Sequence, residues 1–211
     1  MSYMSARGGF MNEKKLLIME IFGVAAIYLV AAFLHFFYDL SGHTVLSSFI
    51  GAVNESVWEH LKIFAIGYSL WAGLEYLALK PPLKTFVVAK ATGVFSLLIS
   101  ITLFFYLYTS VLKTSYVVVD LISSFVFTAL SQVVSYLILT RWEGAGEYFY
   151  LAVSLWALLF TAVLCFTYYP PKIPLFKDPV TSLYGVIPEN IDEGAIVLSG
   201  NYKDVWRVHR R

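Results

Sequence analysis

Long apolar runs alternate with short polar or proline-containing segments along this chain. Five runs reach the roughly 20 helical residues needed to cross a hydrocarbon core of about 30 Å. We therefore predict five transmembrane helices, at residues 16–38, 57–79, 84–112, 116–139 and 148–169. Proline pairs at 81–82 and 170–171 end the second and fifth runs, since proline cannot continue a helical hydrogen-bond ladder.

The segments outside these runs differ in character. Residues 1–15 form an N-terminal segment, and residues 170–211 form an extramembrane C-terminal tail. The connection 39–53 has an amphipathic middle, which predicts a short interfacial or re-entrant helix able to cap a site. The tail sequence PLFKDP combines apolar anchors with charge and suits a segment that folds back over the outer end of the bundle. The predicted fold class is an all-α integral membrane bundle, because helices satisfy their own backbone in lipid.

Composition supports the same class of protein. The 211 residues are 59% apolar and only 14% charged, whereas about a quarter of the residues of soluble domains are charged. These values exclude an ordinary soluble globule and a disordered chain. The formal net charge of +1 gives no reason to expect nucleic acid as a partner. The expected partners are the lipid bilayer, a lipid substrate or another subunit of a membrane complex.

Basic residues near the span ends predict the orientation in the membrane. Lys and Arg cluster before the first span, between the second and third, and after the fourth, which places these segments in the cytoplasm. We therefore expect a multi-pass protein of the cell membrane with a cytoplasmic N-terminus and an external C-terminus. Lys172 and Lys177 in the tail argue the other way.

Polar residues on or beside spans are costly in a bilayer and are therefore informative. One group gathers at the predicted outer end. Three histidines and several carboxylates in this group suit a divalent metal such as zinc, held by His35, Asp39 and His60 with a position left for water. Such a water can attack an ester or amide, with Glu55, Ser56, Glu59 and His60 as candidate catalytic residues. The other members of the group are His43, Asn54, Lys62 and Asp120.

Structural roles for the same residues stay open. Ser56 and Glu59 have the spacing of a capping box, in which Ser accepts from the N3 amide and Glu reaches back to the N-cap amide. His35 and His43 can be hydrogen-bonded structural residues, and Trp58 can be an interface anchor. Without metal, a histidine beside a carboxylate can act as a general base.

A second group lies towards the predicted inner end. Glu20, Glu75 and Lys90 predict either a structural clasp, in which Lys90 pairs with one glutamate, or part of a proton or ion path. Small polar residues at helical spacing on the fourth span indicate close helix packing or the wall of a wet crevice. They are Asp120, Ser124, Thr128, Ser131 and Ser135.

The string VNESVWEHLK at 53–62 resembles the signature of an uncharacterised prokaryotic family of small multi-pass membrane proteins. The stretches FLHFFYDLSG and YPPKIPLFKDPVTSLYG are similar to other recurrent parts of that family, so the resemblance spans residues 16–187. It implies no activity. The residues that carry it are Asn54, Glu55, Trp58, Glu59, His60, Lys62, Pro174, Asp178 and Tyr184.

A looser resemblance is to the alkaline ceramidase and adiponectin receptor superfamily of seven-helix zinc hydrolases, whose Ser-x3-His element Ser56 and His60 match. The chain has five predicted spans and no late His-x3-His pair. Three functions remain open: a membrane-embedded metal-assisted hydrolase of a lipid or membrane-proximal substrate, a non-catalytic subunit or assembly protein, and a small ion-coupled transporter.

Overall fold

The computed structural model describes residues 12–187, and the rest of the predicted N-terminal and C-terminal segments lies outside the described residues. The described residues form six α-helices, with one-turn 3-10 segments at Ala145–Tyr148, directly before the last helix, and at Pro174–Phe176, after it. No strand occurs within 12–187, where a lone bridge links Lys177 and Tyr184. The all-α prediction is confirmed. The helices are α1 (Glu13–Leu40), α2 (Val45–Ile50), α3 (Val57–Leu79), α4 (Leu83–Leu112), α5 (Val117–Arg141) and α6 (Phe149–Tyr168).

Within residues 12–187, four helical segments are long and apolar enough to cross a membrane, which indicates a membrane protein. They are α1, α4, α5 and the continuous segment Ala145–Tyr168. The second predicted run is a helix with the predicted bounds, α3, but it does not belong to this set. Charged residues such as Glu59, Lys62 and Glu75 lower its hydropathy.

Local chemistry explains where the helices begin and end. Ser56 is the N-cap of α3, and its hydroxyl accepts a hydrogen bond from the Glu59 amide. Lys80 ends the same helix in the left-handed region at φ 47°, directly before two prolines. The connection 39–53 contains the short helix α2, as its amphipathic middle predicts.

The helices α1 and α3 run antiparallel and in close contact. At Gly67, a Cβ would lie 3.1 Å from the carbonyl oxygen of Ile27, so a larger residue would push the two helices apart. The main core forms where these helices meet α4, and a second core lies between α4, α5 and α6. Buried residues of the main core include Ile27, Ala31, Leu61, Phe64, Tyr68, Val94 and Leu97. We call the end of the bundle where α1 ends and α3 begins the outer end, and the opposite end the inner end.

The placement of apolar and charged side chains is the reverse of that in a soluble protein. Large apolar side chains such as Leu29 and Val117 are 69% and 73% exposed, whereas Glu75 and Lys90 are buried. Contiguous apolar surface of this kind marks contact with something other than water. The bundle thus exposes many large apolar side chains and buries several charged ones.

Candidate functional site

The outer end of the bundle brings together residues that are distant in sequence. The loop after α2 returns to α1, where the Ala52 amide donates to the Leu34 carbonyl at 3.2 Å. This contact sets the start of α3 beside the last turns of α1. As a result the rings of His35 and His60 lie with centroids 5.1 Å apart.

Glu55 lies between these two histidines. Its Oε1 is 3.8 Å from Nε2 of His35, and its Oε2 is 3.7 Å from Nε2 of His60. One ligand atom from each of the three residues lies within 4.8 Å of the other two. We call His35, Glu55 and His60 the outer site.

The hydrogen bonds of the rings determine what they present to Glu55. Nδ1 of His60 lies 2.9 Å from the Ser56 carbonyl oxygen, which can only accept, so this nitrogen carries the proton. Nε2 of a neutral His60 ring therefore points a lone pair at the carboxylate. Nδ1 of His35 is buried without a hydrogen-bond partner among residues 12–187. The lone pair of His60, a second imidazole and a carboxylate in one place suit a proton or a cation between them.

The outer site is accessible. The side chains of His35, Glu55 and His60 are 26%, 51% and 39% exposed. A small ion or molecule can therefore reach it, which distinguishes it from the buried polar clusters of the same chain.

Asp39, a predicted metal ligand, has a different partner. Its Oδ1 lies 2.9 Å from Nε2 of His43, while Glu55 occupies the position between the two other predicted ligands. The structure thus groups His35 and His60 as expected, but with Glu55 rather than Asp39. Asp39 lies one turn beyond His35 on the same face of α1.

Ser56 and Glu59, both predicted as catalytic residues, have other partners. The Ser56 hydroxyl caps α3 and is buried. The second half of the predicted capping box is wrong, because the Ser56 amide donates to Asn54 Oδ1 at 2.8 Å. Glu59 instead accepts from the Val53 amide at 3.0 Å.

Glu59 and Lys62 form a buried ion pair, with Oε2 and Nζ 2.5 Å apart. Nζ of Lys62 also donates to the Ser48 carbonyl at 2.8 Å and to the Thr167 hydroxyl at 3.4 Å. This ion pair therefore connects α3 to α2 and α6, which is a structural role.

The tail packs on the loop that carries Glu55. Asn54 donates from Nδ2 to the Gly185 carbonyl at 2.8 Å, and the Glu55 amide donates to Asp178 Oδ1 at 3.2 Å. The Phe176 ring lies 5.1 Å from that of Trp58. Residues 176–185 therefore cover the start of α3, as the PLFKDP sequence indicates, and Trp58 is packed against this cover.

At the inner end, Lys90 lies between two glutamates. Its Nζ is 2.9 and 3.0 Å from the two carboxylate oxygens of Glu20 and 2.7 Å from Oε2 of Glu75. The predicted clasp involved one glutamate, whereas the structure has both. We call Glu20, Glu75 and Lys90 the inner cluster.

The polar stripe of α5 faces the bundle interior along most of its length. Ser124, Thr128, Ser131 and Ser135 are buried. Ser135 donates to Glu20 Oε1 at 2.8 Å, so the stripe reaches the inner cluster.

Two other features of α5 depart from the sequence-based expectation. Asp120 accepts from the Tyr108 hydroxyl at 2.6 Å, so it is bonded to α4 and does not belong to the outer site. Gln132 was not predicted as a functional residue. It is buried and donates to the Glu20 carbonyl at 3.3 Å, and its position four residues after Thr128 on the polar stripe is the signal that could have identified it.

The comparisons with known proteins locate the chain in a family. No curated protein and no solved structure matches it. A family model described as a family of unknown function, DUF6512, matches residues 7–186. This range contains the outer site, the inner cluster and the tail segment that covers the start of α3. The chain therefore belongs to this family of unknown function, as the resemblance to an uncharacterised family led us to expect.

Proposed function

We propose that this chain is a membrane-embedded, metal-assisted hydrolase that acts on a lipid or membrane-proximal substrate and holds zinc in the outer site. The observation that carries the proposal is the convergence of His35, Glu55 and His60, whose ligand atoms lie within 4.8 Å of one another at an accessible position. Imidazole and carboxylate are ordinary zinc ligands, and three protein ligands leave a fourth position for water.

The spacing of the ligand atoms supports this choice. Donors about 2.0 to 2.1 Å from a tetrahedral zinc are roughly 3.3 Å apart. The histidines lie 3.8 and 3.7 Å from the two carboxylate oxygens, and one atom from each of the three residues lies within 4.8 Å of the others, so zinc binding requires the side chains to draw closer together. The bond from His60 Nδ1 to the Ser56 carbonyl fixes the ring tautomer, which is the usual second contact of a zinc-bound histidine.

Different residues handle protons in this proposal. Bound zinc supplies an acidified water and polarises a carbonyl oxygen. In this proposal neither Ser56 nor Glu59 is assigned the role of nucleophile or base, because Ser56 caps α3 and Glu59 is paired with Lys62. Asp39, one turn after His35 on α1, and His43, in the turn that follows the helix, form the pair that is the candidate carrier of protons.

The same proposal includes five membrane spans. Contacts at both ends of α3 support its inclusion: His60 lies beside His35 near the outer end, and Glu75 meets the Lys90 that also binds Glu20 near the inner end. Because α3 packs along α1 from one end of the bundle to the other, we propose that α3 crosses the membrane together with α1. We propose the cell membrane as the location, with the N-terminus in the cytoplasm, because Lys and Arg concentrate at the inner end.

Zinc binding by the purified full-length chain tests the outer site. After incubation with zinc and removal of free metal, we expect about one zinc per chain by elemental analysis. His60→Ala should lose most of it, since two ligands hold zinc weakly. His43→Ala is the matched control, because it removes a histidine of the same end that is not part of the site, and it should retain zinc. Equal zinc in wild type and His60→Ala would overturn the assignment.

Lipid hydrolysis tests the activity. The zinc-loaded protein is incubated with vesicles of ester- and amide-linked lipids, and released acyl chains are measured by mass spectrometry. We expect release by wild type and none by His60→Ala or after chelation. Zinc binding without release would overturn the hydrolase and favour the second candidate, a non-catalytic assembly subunit. The contacts of Asn54 and Asp178 that join the tail to the site loop favour that candidate.

A further inference from the structure

The inner cluster contains more negative than positive charge. Glu20, Glu75 and Lys90 are 3%, 0% and 1% exposed, and a single ammonium faces two carboxylates. With all three groups ionised, the cluster has an unbalanced charge of −1 inside an apolar bundle. An uncompensated buried charge is strongly destabilising. A further positive charge is therefore required.

The elements packed around the cluster do not supply it. Among the described residues, the groups that face it are Gln132 and Ser135 from α5, Tyr68 and Trp71 from α3, and the ring of Phe86 from α4. All of these are neutral side chains. The Lys90 ammonium is already shared between the two carboxylates and also lies over Phe86, 5.4 Å from the ring centroid.

Several polar atoms around the cluster lack partners. Within residues 12–187, Oε1 of Glu75 and Oε1 of Gln132 are buried without a hydrogen bond of good geometry, and so is the Tyr68 hydroxyl, which lies towards Ser131 and Ser135. The residues Glu75, Gln132 and Tyr68 are nearly or fully buried. The Trp71 Nε1–H is the one pure donor without such a bond here, and it lies towards Glu75. The carboxylate and amide oxygens can only accept and the hydroxyl can accept, so with the excess negative charge they suit a cation.

Glycines keep this space open. A Cβ on Gly23 would collide with Nε2 of Gln132 and Nε1 of Trp71, and one on Gly93 would collide with the Tyr68 hydroxyl. The polar side chains can therefore reach the cluster only because these two positions of α1 and α4 lack a side chain.

We propose that the inner cluster is a binding site for one exchangeable monovalent cation, either a proton on the carboxylate pair or a sodium ion held by Glu75, Gln132 and Tyr68. This site is separate from the outer site and independent of any hydrolase activity. A bound positive charge neutralises the cluster. Release and rebinding of this cation would change the charge of the inner cluster, and an ion-coupled function requires such a change.

Infrared spectroscopy of the purified full-length protein tests the proposal, because a protonated carboxyl has its own C=O stretching band. If a proton is bound, wild type has one protonated carboxyl at neutral pH in both sodium and choline chloride. Glu20→Gln and Glu75→Gln should each abolish the band. Each variant leaves one carboxylate beside the Lys90 ammonium, so the cluster is neutral without a bound proton. Lys90→Met should raise it to two. Glu59→Gln is the matched control, a buried glutamate in a balanced pair, and should retain the band.

A sodium ion gives a different result in the same samples. The band is then absent in sodium chloride and appears in choline chloride of equal ionic strength, and sodium raises the thermal unfolding temperature of wild type but not of Glu75→Gln. The proposal is overturned if wild type shows no band in either salt and no sodium-dependent stability. A band that survives both Glu20→Gln and Glu75→Gln would overturn it as well.

Discussion

Buried lysine–glutamate contacts occur at both ends of α3, but the two arrangements differ: Lys62 belongs to α3 itself, whereas Lys90 reaches Glu75 from α4. At the outer end, Glu59 and Lys62 balance one to one, and both have additional partners in the Val53 amide and the Ser48 carbonyl. At the inner end, Lys90 faces two glutamates, and Oε1 of Glu75 has no hydrogen-bond partner among residues 12–187.

This difference is the basis on which we propose a structural role for the outer ion pair and cation binding for the inner cluster. A charge pair that is balanced and fully hydrogen-bonded holds one geometry, and a change in either partner is costly. A cluster with an excess charge and unpartnered acceptors leaves a charge that residues 12–187 do not compensate. Our proposal therefore rests on the balance of charges and hydrogen bonds and not on burial alone.

Removal of Lys62 should have the largest effect on stability. Lys62→Met leaves Glu59 buried without its counter-charge, and loss of one partner of a buried pair costs roughly 3 to 5 kcal/mol. We expect a large fall in the thermal unfolding temperature, measured in detergent or nanodiscs. The double variant Glu59→Gln with Lys62→Met should recover most of the loss. A single variant as stable as wild type would contradict a structural role for this pair.

Gly23→Ala should have an intermediate effect, because the added Cβ meets Gln132 and Trp71 beside the inner cluster. Overpacking of this kind costs about 1 to 3 kcal/mol. Gly73→Ala is the matched control, since nothing lies within 4 Å of its Cβ, and it should leave the unfolding temperature unchanged or slightly higher. Equal stability of the two variants would show that the inner end tolerates repacking.

Glu75→Gln should have the smallest effect on stability. The substitution keeps the shape of the side chain and leaves Glu20 and Lys90 as a balanced pair, so we expect a change within about 1 kcal/mol. The same measurement on Glu59→Gln should give a clear loss, because Lys62 is then buried without a carboxylate. If the two variants were equally destabilised, the proposed difference between the ends of α3 would be wrong.

The sequence predicted the helices well, because long apolar runs bounded by prolines leave few alternatives. The bounds of α3, at 57 and 79, are those predicted. The gathering of His35 and His60 at one end also follows from the alternation of spans. The choice of Glu55 over Asp39 could not be predicted, since it depends on the path of the loop between α2 and α3 and on its contacts with Asp178 and Gly185.

The inner cluster was predicted in its members but not in its arrangement. Its three residues come from three helices, and only the rotation of each helix about its axis decides which carboxylate meets Lys90. Gln132 was missed because one amide among small hydroxyl residues resembles ordinary helix packing. Such contacts between distant residues depend on tertiary packing and not on local sequence.

The order of Glu20, Glu75 and Lys90 along the sequence also affects how the protein inserts into the membrane. Glu59 and Lys62 neutralise each other within one turn of α3, so that end of the helix is balanced as soon as it forms. Glu20 and Glu75 both precede Lys90 in the chain. If α3 spans the membrane as proposed, α1 and α3 meet that lysine only when α4 is inserted, and we expect the three helices to associate before insertion is complete.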